Sequence, residues 1–381
     1  MHPSSILSYY PTYSILDDVI SDSKFNHINF YIDLKNCLQS IYMEHVVIPI
    51  VESCVKSRFI DTSIFSSLIY FLSFHKKYCL KRNITCDFYI FYESGKSSYH
   101  LNILPEYKIN RTIGDLYGLD HEKKDLFFKV LSNNYQLMEK FCQKTSNIFM
   151  LRLPNFEADF IPYYLVKFNL VKKNDETCAN ILYSNDHDML QFLTFDRTFV
   201  FRKLAKSKRL VKNGSGIKEF FSNSSLSNVI NENWIGFLMS IMGDPSDSIP
   251  GVKGIGIKTL EKIISFLDDL DVNECYDKAC KNENIFSDYK FKEMNKYINK
   301  IIENESIIRR NLMLCSFEVI SNIVFSKSHS LKVVDINKLI VNSIQEFSKR
   351  QYNQVLTDPL YEVLSRLNIT VEYEDIDILL C

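Results

Sequence analysis

The chain has 381 residues, 46% of them hydrophobic, with 28 Phe and 22 Tyr against only 10 Gly and 9 Pro. That composition excludes a disordered chain and leaves room for one large or two moderate domains. A formal net charge of −1 gives no global attraction to nucleic acid, so any such binding must come from local basic patches. The ten cysteines include no CxxC pair and the eight histidines no ligand-spaced cluster, which speaks against a zinc ribbon or a disulfide framework. Reduced, buried thiols in a cytoplasmic setting are expected instead.

In chain order, the opening "MHPSSILSYYPTYSILDDVISDSK" has no basic segment followed by an apolar core, so no signal peptide is expected there. No apolar run reaches the length of a membrane span. "HINFYIDLKNCLQ", His27 to Gln39, reads as a short strand that ends at Asp33 and turns into a helix. "CDFYIFYESGK" reads as a second strand running to Glu93, and "SNIFMLRLPNFEAD" as a third, with alternating bulky residues up to Glu157 and Asp159. "CANILYSNDHDMLQFL" repeats the pattern, with a strand to Tyr183, then Asp186 and Asp188, then a helix from about Met189. Helical segments such as "VVIPIVESCVKSRFIDTSIFSSLIYFLSF" fill the spaces between. "RTFVFRKL" adds a further strand, and from Trp234 onward, including "FKEMNKYINKIIENESIIRRNLMLC", the chain reads as largely helical.

Alternating strands and helices predict an α/β fold with a mostly parallel sheet flanked by helices, followed by a helical region. In such sheets functional groups gather beyond the carboxyl ends of the strands. Asp33, Glu93, Glu157, Asp159, Asp186, Asp188 and Asp244 are therefore expected to converge. Any one of them is an ordinary cap or turn residue. Seven together repel unless cations neutralise them, and oxygen ligands with few histidines indicate Mg²⁺ or Mn²⁺. Two such ions suit hydrolysis of a phosphodiester by in-line displacement. The pairs in "EAD" and "DHD" are two residues apart and, at a strand end, aim toward one side.

Between the second and third strands, Lys108 and Arg111 are three apart and would share a face of a helix, within reach of a phosphate, while Tyr107 could stack on a base. A solvated basic turn is the equal alternative. The cluster Lys203, Lys206, Lys208, Arg209 and Lys212 reads as a solvated face.

"MGDPSDSIPGVKGIGIKTLEKII" carries Asp244 and Asp247 ahead of Gly251, Gly254 and Gly256. Ile257 separates Gly256 from Lys258 and Thr259, so this is not a phosphate-binding Walker loop. What remains is a hairpin between helices whose glycines turn tightly and would present N–H groups, with Lys253 and Lys258 adding charge, to a DNA phosphate without reading sequence; a plain helix-turn-helix corner is the alternative.

At these residues the chain resembles the metal-dependent 5′-nucleases, a family that includes flap endonucleases, the 5′-nuclease domain of bacterial DNA polymerase I and phage 5′-exonucleases. "GDPSDSIPGVKGIGIKT" is similar to that family's helix-three-turn-helix signature almost residue for residue. "YIDLKN", "YESGKSSYHLNILPEYKINR", "FEADF" and "SNDHD" match its metal-binding strands and gateway, and "IIRRNLML" a helix that follows the hairpin. The resemblance implies a PIN-like catalytic domain over 27–230 and a helical DNA-binding region over 231–330, with an extension at 1–26 and a tail at 331–381 outside it. It implies that Asp33, Glu157 and Asp159 surround one metal and Asp186, Asp188 and Asp244 another, some of them through water, with Asp247 either serving the second or standing just outside the ligands. Lys108 and Arg111 would polarise the scissile phosphate, Tyr107, Gly251, Lys253, Gly254, Gly256, Lys258 and Thr259 would contact DNA, and K⁺ would sit near Ser246 to Gly256. Residues 112–141 stand where relatives have a helical arch.

Two positions depart from the family pattern. Glu93 stands where an Asp is usual, and Phe160 where a further acid often follows "EAD" in phage relatives. The implied activity is structure-selective 5′ to 3′ hydrolysis at DNA 5′ ends, flaps or RNA primers in replication and repair, by a monomer with two divalent ions. The alternatives are a DNA-junction binding protein with a weakened centre and a primer-removing nuclease acting on RNA:DNA. The two extensions are candidate docking segments for a replication protein.

Overall fold

The computed structural model describes residues 25–37, 57–93, 97–110, 121–142, 147–153, 155–204, 207–222, 230–267, 270–289 and 295–330, with Leu16, Asp17, Val19 and Thr145 besides. Arg111, Lys206, most of 1–26 and all of 331–381 lie outside the described residues. The predicted α/β architecture is observed. Six strands, β1 (His27–Asp33), β2 (Thr85–Phe91), β3 (Ile148–Leu151), β4 (Cys178–Tyr183), β5 (Thr198–Leu204) and β6 (Ser207–Lys212), form one sheet in the order β3-β2-β1-β4-β5-β6. The first five are parallel and β6 runs antiparallel to β5. β1 and β4 are buried along their whole length, as central strands covered on both faces must be, with His27, Asn29 and Asn180 buried among their apolar residues.

Alternation along β1 sends aromatic rings to opposite faces. Tyr31 stacks on Tyr89, which stacks on Phe149, with centroids 5.4 and 5.1 Å apart, while Phe30 stacks on Phe88 on the other face at 5.2 Å. These cross-strand pairs pin the parallel register. The Phe30 face is covered by α1 (Ser57–Leu80) and by a helix at His121–Cys142, through Phe65, Leu72 and Phe141. A short helix, α2 (Ser98–Ile103), precedes that longer one, which is therefore α3. The Tyr31 face is covered by α4 (Ile161–Lys167), α5 (Gly216–Phe221) and α6 (Trp234–Met242), and its core continues into the helices beyond. Those are α7 (Ile257–Ile263), α8 (Val272–Cys280), α9 (Lys296–Glu303), α10 (Glu305–Cys315) and α11 (Phe317–Ser330). At about 1.5–3 kcal/mol for each large apolar side chain buried, this shared core holds the helical region firmly to the sheet.

Four local expectations are corrected. The third strand stops at Leu151, and Asn155, at φ 71°, turns the chain, so the bulky residues up to Asp159 pack from a loop. The segment after Asp188 is a 3₁₀ helix, Asp188–Thr194, not an α-helix. The helical run before Cys315 breaks at Asn304, which ends α9 and begins α10. The lysine-rich stretch after β5 is the edge strand β6, where charge discourages further pairing. Among the described residues no helix is long and apolar enough to cross a membrane.

Candidate metal and nucleic-acid site

The sheet order makes β3, β2, β1 and β4 consecutive neighbours, so their carboxyl ends form one continuous edge. Asp33 is the last residue of β1, and Glu93 lies two residues past β2. Glu157 and Asp159 lie in the loop from β3 to α4, and Asp186 and Asp188 follow β4. The expectation that the third strand runs through "EAD" is thus corrected to a loop beyond it, whereas "DHD" follows its strand as expected, with Asp188 opening the 3₁₀ helix. Asp244 and Asp247 arrive from the hairpin after α6. One oxygen each from Glu93, Glu157 and Asp159 lies within 4.8 Å of the others. Glu157, Asp159, Asp188, Asp244 and Asp247 line one cleft with Tyr107.

The electrostatics tie all eight acids together. Burial, then Asp186, pushes the Asp33 carboxyl up to about 7, with Glu93 adding to the effect. Burial likewise pushes Asp188 up to about 7, followed by Asp186, Asp247 and Asp244. Asp159 stands well above the ordinary carboxylate range through burial and then Asp188, Asp33, Glu157 and Glu93. Carboxylates that resist ionising beside one another are the donor set a hard divalent cation satisfies. The residues present therefore fit such an ion.

Lys108 is the main internal counter-charge. Its ammonium donates to Glu157 and lies 3.7 Å from Asp247 and 4.0 Å from Glu93. Burial raises Glu157, but Lys108 and His100 outweigh it and hold the carboxyl below its usual range. Of the helical face and the basic turn, Lys108 takes the turn: it has φ 55°, and its backbone N–H donates to the Asp247 carbonyl at 2.8 Å. Tyr107 is also corrected. It is buried, its ring stacks on His100 at 4.7 Å, and its hydroxyl reaches Glu157 Oε2 at 2.8 Å and Asp247 Oδ2 at 3.1 Å. It ties the loop after β3 to the hairpin and presents no free face to a base.

α6 ends at Gly243, φ 69°, and the chain folds back as a two-residue ribbon pairing Gly243–Asp244 with Ile249–Pro250. Asp244 accepts hydrogen bonds from the Ser246 N–H and hydroxyl at 2.8 and 2.7 Å. Gly251, expected at DNA, instead packs against backbone: a Cβ there would lie 1.9 Å from the Met242 carbonyl oxygen. Lys253, Gly254, Gly256 and Lys258 are exposed together on the outer side, with Thr259 half-buried. The side chain of Asn311 on α10 donates to the Ser240 and Pro250 carbonyls, each at 2.9 Å, fastening the hairpin base.

Several participants carried no sequence signal. Lys35 donates to Glu93 at 2.7 Å, and Arg202 donates to Glu219 at 3.0 Å and to the Asn185 carbonyl at 2.8 Å, holding the loop that presents Asp186. Arg209, read as part of a solvated face, also donates to Glu219, at 2.6 Å. Phe160 is buried between Phe156 and Tyr164, so a ring fills the place where another acid would stand.

No family model matches the chain. It is 29% identical over 225 residues to the flap endonuclease of Escherichia phage T5, covering 58% of this chain and 66% of that protein. It is 26% identical over 185 residues to a 5′-3′ exonuclease of Buchnera aphidicola subsp. Acyrthosiphon pisum (strain APS), covering 48% and 54%. The aligned part thus spans between about half and just under two thirds of these curated relatives. Among solved structures, the bacteriophage T5 flap endonuclease in a pseudo-enzyme-product complex with DNA and metal ions has a TM-score of 0.57, with 22% identity over 85% of this chain and all of the other. The T5 5′-exonuclease with bound zinc has a TM-score of 0.54 and 23% identity over 84% of this chain. With sequence relatives named flap endonuclease and 5′-3′ exonuclease, and a fold shared with a phage 5′-exonuclease, the chain is a relative of the 5′-nucleases.

Proposed function

We propose that the protein is a divalent-metal-dependent 5′ to 3′ nuclease that hydrolyses phosphodiester bonds at 5′ ends or flaps of duplex DNA, in replication and repair. The observation that carries this reading is the convergence of eight electrostatically linked carboxylates from four adjacent strand ends and one hairpin, with Lys108 beside Glu157, Asp247 and Glu93. Relatives solved with DNA and with metal ions support the substrate and the cofactor class. Asp33, Glu93, Glu157 and Asp159 on one side, and Asp186, Asp188, Asp244 and Asp247 on the other, would hold two ions, Mg²⁺ or Mn²⁺. When bound, they would supply positive charge to the scissile phosphate and acidify water for attack.

The chain's own residues supply placement and charge. Lys108 is poised among Glu157, Asp247 and Glu93 and would turn to the phosphate once cations neutralise those acids, with Arg111 as its partner. Lys253, Gly254, Gly256, Lys258 and Thr259 would hold the duplex backbone, with K⁺ near Ser246 to Gly256. Asp247, through its carbonyl bond to Lys108 and its carboxylate bond to Tyr107, links that grip to the cutting site. In this reading 27–230 is the catalytic unit and 231–330 the DNA-holding unit. The test is cleavage of labelled 5′-flap, nicked and blunt duplexes, and of RNA:DNA 5′ ends, after chelation and divalent add-back. Asp186→Asn with Asp188→Asn should abolish cleavage, and persistent flap cutting by that double variant would refute the assignment.

A further inference from the structure

Glu93 departs from the aspartate expected at its position, and the structure supplies a reason. Lys35 lies two residues past Asp33, in the helical stretch that follows β1, and its Nζ donates to Glu93 Oε2 at 2.7 Å. The two side chains are 33% and 25% exposed. The other oxygen, Oε1, faces the Lys108 ammonium at 4.0 Å. Lys108 in turn contacts Glu157 and lies 3.7 Å from Asp247. Charges therefore alternate from Lys35 through Glu93 and Lys108 to Glu157. An aspartate on the same backbone is one methylene shorter and would not keep the 2.7 Å contact.

We propose that Lys35 is a resident counter-cation of the acid cluster: by holding one oxygen of Glu93 it weakens the cluster's hold on divalent cations, which must bind against its charge. Lys35 is a positioning residue, since it acts through Glu93. The inference rests on the reading of the cluster as a divalent site. Glu93 is one of the three acids whose oxygens lie closest together, so a unit positive charge bonded to it opposes any cation placed among them. Removing that charge while keeping the aliphatic stem tightens divalent binding about tenfold. Arginine at the same place retains the charge and leaves affinity near wild type.

The experiment is calorimetric titration of the metal-free full chain with Mg²⁺ and with Mn²⁺, for wild type, Lys35→Met and Lys35→Arg. Circular dichroism confirms that each variant is folded. Lys35→Met is expected to bind about tenfold more tightly, and Lys35→Arg to match wild type. Unchanged or weaker divalent binding by Lys35→Met, with wild type binding normally, overturns the role of Lys35 and leaves the metal site standing. Absence of divalent binding in wild type and every variant overturns both.

Discussion

Replacing Asp33 by asparagine should make the metal-free protein more stable while weakening its response to metal. Asp33 is 6% exposed, and its carboxyl is raised from the ordinary 3.8 to about 7 by burial and by Asp186. A group held more basic in the fold than in the unfolded chain contributes stability that is fully present below pH 3.8 and lost as pH rises through about 7. At about 1.36 kcal/mol per pH unit, the cost at pH 8 is about 4 kcal/mol at most. Asparagine removes it and keeps an oxygen for the Asn36 N–H, which Asp33 Oδ1 now accepts at 3.0 Å. Allowing about 1 kcal/mol for the weaker neutral hydrogen bond and some for relaxation, the expected gain is about 1–3 kcal/mol.

Urea unfolding in EDTA at pH 8 and pH 5.5 measures this directly. The gain should be largest at pH 8 and fall to less than about half at pH 5.5, where wild-type Asp33 is mostly protonated. Saturating Mg²⁺ should stabilise wild type by mass action and the variant much less. A variant less stable than wild type in EDTA at pH 8, or a gain independent of pH, would refute the electrostatic account.

Gly251→Ala puts a Cβ 1.9 Å from the Met242 carbonyl oxygen, so it should destabilise the hairpin by more than about 3 kcal/mol, read as a lower urea midpoint. Lys300 on α9 brings its ammonium to 3.5 Å from where a Gly254 Cβ would sit, so Lys300→Ala should weaken duplex DNA binding roughly three- to tenfold at low salt, measured by fluorescence anisotropy without metal. Equal affinity would remove Lys300 from the DNA-holding face. His75 is fully buried, bonded at Nδ1 to the Phe71 carbonyl and at Nε2 to the Tyr183 hydroxyl, and burial lowers it to about 4. Its neutral form contributes stability that is complete above pH 6.5 and lost as pH falls through about 4. His75→Gln should therefore lose about 2–3 kcal/mol less than wild type between pH 7.5 and 4.5, and an equal loss in denaturant midpoints would count against the buried neutral imidazole.

Much of the fold was legible because its signals are local. Short runs rich in aromatic and branched residues marked β1, β2 and β4 as strands, an acid after each marked the sheet edge, and the glycine and proline pattern after Met242 marked a turn between helices. What misled the reading was also local. Bulky alternation in 152–159 resembled a strand because a loop packing on a core buries the same side chains, and Gly251 looked like a phosphate contact because glycine serves close backbone packing and ligand approach alike.

The amino-acid sequence by itself determined that strands and helices alternate and that an acid stands at or just beyond the end of each of the first four strands, since periodicity and turn chemistry act within a few residues. Only the tertiary structure decided that β3, β2, β1 and β4 lie side by side, that Asp244 and Asp247 join their acids, that Tyr107 is buried between Glu157 and Asp247, and that Lys35 pairs with Glu93. These partners come from segments tens to hundreds of residues apart. Burial and Coulomb coupling depend on distance in space, and that distance is set only when the two sheet faces and the helical region close around a shared core.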